Sequence, residues 1–353
     1  MKERIVKLTV LGSFNQVLIF LVLLFAILHF GKAFLIPLLT SALFAMLLLP
    51  ICHRLEAKGI KRGWAAVAVV LTTLLLMVGV LYVLVNELVE LAGDLVVVGD
   101  KISLMLDRAY GYIAEHFDIS EVKQKEYLQK QVTQWSNSAG KMVGGAIFSV
   151  VSVLGSLLII TIYTILMLIY RIRIKRFVFQ LVRRHAGYGE VDHARGIVEK
   201  ITKVSSRYVA GIFLVVAILS VIYFVGLTII GVENALFFAI LAALINVIPY
   251  IGSVAGGAIV VLYTFITGDT LTIPVVVALF FTAVQQLDSY VLTPKITGGQ
   301  VKIGPLFTIM ALLLGGMLWG AAGMILFIPL LGIFKVIFDN IDPLKPYGHL
   351  IGD

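Results

Sequence analysis

The residues best suited to chemistry lie in one apolar stretch, "VQQLDSYVLTPKITGG", Val284 to Gly299. Asp288 is the central one, because a carboxylate near a bilayer centre costs roughly 2.5–3.5 kcal/mol on insertion scales and must face protein or water. Helical spacing puts Gln285, Asp288, Leu292 and Lys295 on one stripe, with Gln286 and Ser289 beside it. Such a stripe can bind a polar solute, hold a sodium ion or pass a proton. It can equally close a packing network in which the amides bond neighbouring backbone and Lys295 extends to the interface. A second polar island, "NVIPYIGS", runs from Asn246 to Ser253 inside another apolar run. There Asn246, Tyr250 and Ser253 offer polar groups that could reach the same place, while Pro249 and Gly252 shape a bend; the alternative is that all of them only close a tight turn. Pro294 lacks an N–H and is expected to end the helix that carries Asp288.

What must position these residues follows from composition. The chain has 353 residues, 60% hydrophobic and 14% charged, with a mean hydropathy of +1.04. Runs such as "FNQVLIFLVLLFAILHF" and "GSLLIITIYTILMLIY" carry no charge and are too long for a small soluble core. The reading is an all-α polytopic bundle of about eight membrane units, with the lipid bilayer as its first partner. The net charge of +8 does not point to nucleic acid, because the excess sits in loops flanking apolar segments. A single cysteine, Cys52, excludes an intrachain disulfide and makes thiolate metal binding implausible. No metal site and no cofactor are expected, apart from a coupling Na+ or H+.

Charge asymmetry orients the chain. The start (Lys2, Arg4, Lys7) and the loop with Arg54, Lys58, Lys61 and Arg62 are basic, as is 171–207, with ten Lys or Arg; these read as cytoplasmic. Residues 87–145 are acidic and read as external. The expected organisation is transmembrane helices over 1–86, an amphipathic helical insert over 87–145, a further span over 146–170 and a basic helical loop over 171–207. A transport core over 208–338 and a cytoplasmic tail over 339–353 complete it, with both termini cytoplasmic. In the insert, Leu88, Leu91, Leu95, Val98, Ile102, Met105, Ala109 and Tyr112 recur in steps of three and four, a heptad stripe. It fits packing within the insert or a contact between subunits of a homo-oligomer. His185 and His193 lie in the basic loop, where an ordinary solvated face is the simplest reading.

Two pairs of apolar segments are too short to cross roughly 30 Å of hydrocarbon as straight helices. They are 234–247 with 254–267, joined by "PYIGS", and 305–319 with 322–334, joined by "GAAG". Broken backbone at membrane depth is tolerated where it is buried in protein or lines a wet cavity. Each pair is therefore expected to form a re-entrant hairpin, the two entering from opposite sides; short, tilted full crossings are the alternative. Gly315 to Gly323, "GGMLWGAAG", permits close helix approach, with Gly320 and Gly323 at the second tip.

The same residues carry a resemblance. "NVIPYIGS" followed by "DSYVLTPKITGGQVKIGPLFTIMALLLGGMLWGAAGMILFIPL" resembles the bacterial AI-2E family of transporters, and the likeness covers nearly the whole chain. It implies a multi-pass inner-membrane protein associated with export of the signal autoinducer-2 or with sodium/proton antiport. Pro249, Tyr250, Gly252, Asp288, Pro294, Gly298 and Pro305 match family positions. Many relatives have a His just before the proline matched by Pro305, where this chain has Gly304, so no role of that His carries over.

Among function classes, secondary transport of a small polar solute, a monovalent cation or both fits best, with Asp288 as the coupling carboxylate. A passive oligomeric channel and a non-transporting scaffold are the other readings. The chain holds no GxxxxGK[ST], so it binds no nucleotide by that loop, and neither HExxH nor GxSxG, so it is not expected to be an enzyme.

Overall fold

The computed structural model describes residues 2–117, 121–186, 190–249, 251–268, 270–296 and 303–352. These residues form α1 (Lys2–Phe30), α2 (Lys32–Ala57), α3 (Arg62–Phe117), α4 (Glu121–Ala186), α5 (Glu190–Ile230), α6 (Ala235–Ile245) and α7 (Ile251–Thr267). After them come α8 (Thr272–Leu287), a π-helical turn (Asp288–Leu292), α9 (Thr293–Ile296), α10 (Pro305–Asn340), a 3₁₀ turn (Asp342–Leu344) and α11 (Lys345–Ile351). Among the described residues six helices are long and apolar enough to span a membrane. The protein is an all-α, multi-pass membrane protein. Its large exposed apolar side chains, Phe20, Ile27, Leu75, Leu76, Ile229 and Leu279 among them, are what lipid-facing helices require.

The acidic insert and the basic loop are continuations of spanning helices rather than separate pieces. α3 runs on for 56 residues and α4 for 66, so the helix of the third apolar segment extends through most of the insert. The side chains of its heptad stripe beyond Val89 lie outside the described residues, and so does any pairing they make. α4 likewise continues through the basic stretch to Ala186, and α5 resumes it at Glu190.

The chain divides into two compact units, one of residues 1–69, 159–209 and 300–353, the other of residues 70–158 and 210–299. In the first, Leu43, Val209, Trp319 and Leu326 form a buried cluster with Leu28, Leu39 and Ile333 packed against it. Arg171 and Glu56 pair at 2.5 Å where α2 and α4 leave apolar sequence. The last turn of α10 is held by α5: His193 Nε2 meets the Asn340 carbonyl at 2.6 Å and Lys200 Nζ donates to Asn340 Oδ1 at 2.6 Å. Side-chain N–H donors suit the unpaired carbonyls of a helix C-terminus, which gives His193 a structural task. Cys52 is fully buried.

In the second unit Leu219, Tyr223, Leu227, Phe238, Val260, Val277 and Phe281 form the core. Tyr223 stacks on Phe281 with ring centroids 4.7 Å apart. Each unit also holds one of the two pairs of short apolar segments. In the second unit α6 and α7 fold back on each other: Phe238 meets Tyr263 at 4.5 Å, and a side chain at Gly256 would press on the backbone of Ala242. With 11 and 17 residues these helices rise only about 16 and 26 Å. In the first unit α10 is broken at Gly320, whose φ of 61° and ψ of −143° are open to glycine almost alone. Residues eight apart would lie about 12 Å apart in a straight helix. Instead Gly315 touches Gly323, Gly316 faces Met324, and the rings of Trp319 and Phe327 are 5.2 Å apart. The two halves of α10 are therefore folded against each other at Gly320. The second half is longer than its sequence pattern suggests, because the helix continues past Pro329 and Lys335 to Asn340. Pro305 occupies the first turn of α10, where its missing N–H costs nothing.

Candidate functional site

Asp288 is 6% exposed and sits at the start of the π-turn. The turn has a local cause. Pro294 offers no N–H to the preceding turn, and the chain widens ahead of it so that the Thr293 N–H bonds the Asp288 carbonyl, five residues back. The helix expected to stop at Pro294 consequently passes through it to Ile296, a correction to the sequence reading. The wider turn also brings the Thr293 side chain round to the carboxylate: Thr293 Oγ1 donates to Asp288 Oδ1 at 2.8 Å.

The other carboxylate oxygen is taken by the first hairpin. Asn246, the C-cap of α6, donates from Nδ2 to Asp288 Oδ2 at 3.0 Å. Its position is fixed from both sides of the break. The Asn246 N–H bonds the Ala242 carbonyl, and the Gly252 N–H returns to the Ile248 carbonyl at 2.9 Å. Gly252 lies so close to the Ile245 carbonyl and the Asn246 Cα that no Cβ fits. Pro249 turns the chain, its carbonyl accepting from Ile251 N–H at 2.7 Å. Asn246 and Asp288, 42 residues apart, are thus joined by a side-chain bond.

Two neutral donors satisfy the carboxylate without neutralising it. Among the described residues no Lys, Arg or His is within ion-pair distance of Asp288. Lys295, on the same predicted stripe, is exposed on α9. One turn before Asp288, Gln285 donates from Nε2 to Ser289 Oγ at 3.3 Å, and its Oε1 is buried with no partner. Gln286 is exposed; Ser253 is buried near the start of α7. Tyr250 and Gly298 lie outside the described residues.

Thr293 and Tyr223 do not stand out in the sequence. Tyr223, 1% exposed on α5, stacks on Phe281 of the helix that leads into Asp288. A threonine five residues after an aspartate and just before a proline is the signal that marks Thr293, since only a π-turn brings such a pair together. Tyr223 has no signal of that kind among the aromatic residues of its segment.

A bundle of spanning helices that buries a hydrogen-bonded carboxylate beside a broken hairpin is the architecture of membrane transport proteins. Comparison with known proteins agrees. The family model described as AI-2E family transporter matches residues 18–342, and the chain belongs to that family. It is 26% identical over 319 residues to YrrI of Bacillus subtilis, covering 87% of this chain and 86% of the relative. It is 26% identical over 323 residues to YhhT of Escherichia coli K12, covering 91% and 88%. A relative from Borreliella burgdorferi is 31% identical over 158 residues, covering 44% of each chain. All three carry transport-protein names.

Proposed function

We propose that the protein is a secondary transporter of a small polar solute, coupled to an ion gradient through Asp288. The observation that carries this reading is the buried carboxylate held by Asn246 and Thr293, with no cation among the described residues within ion-pair distance of it. A charge removed from water needs a compensating charge, and here that charge is a proton or a monovalent cation supplied from solution. Loading and unloading that cation would change the charge at the hairpin tip, which links ion occupancy to the conformation of Asn246 and the break behind it. The basic segments support a topology with both termini cytoplasmic under the positive-inside rule, and the membrane proposed is a bacterial cytoplasmic one. An autoinducer-2-like signal is the first solute to test.

A second reading, sodium/proton antiport, draws on Gln285. Its unpaired Oε1 lies one helical turn from Asp288, and an acceptor oxygen beside a carboxylate suits a hard cation such as Na+. The test is flux in proteoliposomes of the wild type and Asp288→Asn, with imposed sodium or proton gradients and with the signal molecule inside. Gradient-driven flux in the wild type and its loss in Asp288→Asn are expected. Equal flux in both proteins, or wild-type flux untouched by a protonophore and by sodium removal, would refute coupling through Asp288.

A further inference from the structure

In the first unit three helices pass from apolar to basic sequence at one level. α2 leaves "LLLP" for His53 and Arg54, α4 leaves "LMLIY" for Arg171 and Arg173, and α5 enters its apolar run at Tyr208, just after Arg207. A cavity of about 360 Å3 opens at that level, within the range of small-molecule sites. Leu49 and Pro50 form its α2 side. Lys175 lines it from α4, and Lys203 and Arg207 from α5, with the hydroxyls of Thr202 and Ser206 between them. On α5 these positions follow the three-and-four spacing of one helical face. None of the three cations forms an ion pair with a described residue. Glu199 supplies the one carboxylate at the far end of the face.

We propose that this cavity binds the headgroup of an anionic phospholipid of the phosphatidylglycerol type. The chemistry recognised is a phosphate diester. Lys175, Lys203 and Arg207 match its charge, Arg207 with a geometry suited to two phosphate oxygens. The two hydroxyls add donors. Three cations against one carboxylate favour a net negative headgroup over a zwitterion, and the glycerol hydroxyls can donate to Glu199. The apolar side at Leu49 and Pro50, where the helices enter hydrocarbon, receives the start of the acyl chains. A basic pocket between spanning helices is distinct from diffuse attraction of a basic loop to a membrane surface, because the cations converge on one volume.

The test is lipid binding to the purified full-length protein in neutral detergent, read by native mass spectrometry and by thermal shift. The probes are phosphatidylglycerol, phosphatidylethanolamine, phosphatidylcholine and inorganic phosphate at matched ionic strength. Phosphatidylglycerol should bind and stabilise the wild type more than the other three. Lys203→Gln with Arg207→Gln should weaken it roughly thirtyfold and Lys175→Gln alone about fivefold, at the usual contribution of a basic residue near anionic lipid. Lys58→Gln with Lys61→Gln, an equal charge loss outside the cavity, should leave binding within about twofold of wild type. If the double variant fails to fold, Lys175→Gln decides. Unchanged binding in the cavity variants, an equal loss in the control pair, or equal binding of phosphatidylethanolamine or phosphatidylcholine would overturn the proposal. Stabilisation by inorganic phosphate equal to that by the lipid would assign the cavity to a soluble anion and overturn it as well.

Discussion

The two hairpins are built from the same kind of sequence, two short apolar helices around a helix breaker, yet their tips differ in kind. The break between α6 and α7 is several residues long, contains Pro249, and sends the Asn246 side chain to a carboxylate on the next helix. The break in α10 is a single residue, Gly320, with its flanks pressed together backbone to backbone through Gly315 and Gly323. Its nearest polar side chain is Trp319, whose Nε1 donates to the Leu28 carbonyl at 2.8 Å, a packing contact with α1. A polar tip can respond to an ion; a glycine tip can only hold two helices close. On the proposed function the first hairpin belongs to the mechanism and the second to the scaffold.

The largest effect that would sharpen this contrast is at Gly323. Any Cβ there would overlap the Gly315 carbonyl, a backbone group rather than the end of a flexible side chain. Gly323→Val should cost more than about 3 kcal/mol, the upper part of the usual range for overpacking. Loss of monodisperse protein on size exclusion, or a collapse of the thermal transition, is the expected readout. Tolerance of valine would mean that the halves of α10 are not in contact. At the other tip, Gly252→Ala should also destabilise, by about 1–3 kcal/mol. It differs in consequence: the displaced neighbours are Ile245 and Asn246, so any folded fraction should lose ion dependence of transport as well.

Asn246 tests the functional half of the comparison directly. Asn246→Ala leaves Asp288 with Thr293 as its one observed donor, at a cost of about 1–3 kcal/mol for the under-satisfied carboxylate. Asn246→Asp is the more telling change. Two carboxylates within hydrogen-bond reach cannot both ionise easily, so the pair holds a shared proton to higher pH than a single carboxylate would. The pH profile of transport should move to the alkaline side, and a monovalent cation should bind more tightly once both groups are ionised. An unmoved profile would remove Asn246 from the ion site.

Much of this is legible in the sequence, for reasons of scale. Membrane class follows from composition, and the two pairs of short apolar segments follow from the lengths of the apolar runs; both quantities are sums over many residues and tolerate local error. That Asn246 and Asp288 could share a site is visible in their polarity, but their bond is not, because nothing local joins residues on different helices. Pro294 reads as a helix end where the structure has a π-turn, since the penalty of a proline is local but the widening that relieves it depends on the whole turn. Lys295 shares an ideal helical stripe with Asp288, yet it is exposed, because the stripe assumes 3.6 residues per turn and the π-turn lies between them. The second half of α10 reads as ending at Phe334, where Lys335 interrupts the apolar run. That lysine is satisfied by Asp339 Oδ2 one turn on, at 2.8 Å, so the helix continues.

The smallest expected effect comes from Trp319→Phe, and it is the one most able to break the comparison. The substitution keeps an aromatic ring against Phe327 and removes the Nε1 donor to Leu28. A neutral hydrogen bond of this kind contributes about 0.5–1.5 kcal/mol, and some volume is lost with the smaller ring. The thermal transition should fall modestly while solute flux, its ion dependence and its pH profile stay at wild-type values. If instead the ion dependence shifted with little change in stability, the α10 tip would be acting on transport through its contact with α1. The division into a working hairpin and a supporting one would then be wrong, because a packing residue that touches neither Asp288 nor Asn246 can alter ion coupling only if the hairpin itself takes part in the conformational change.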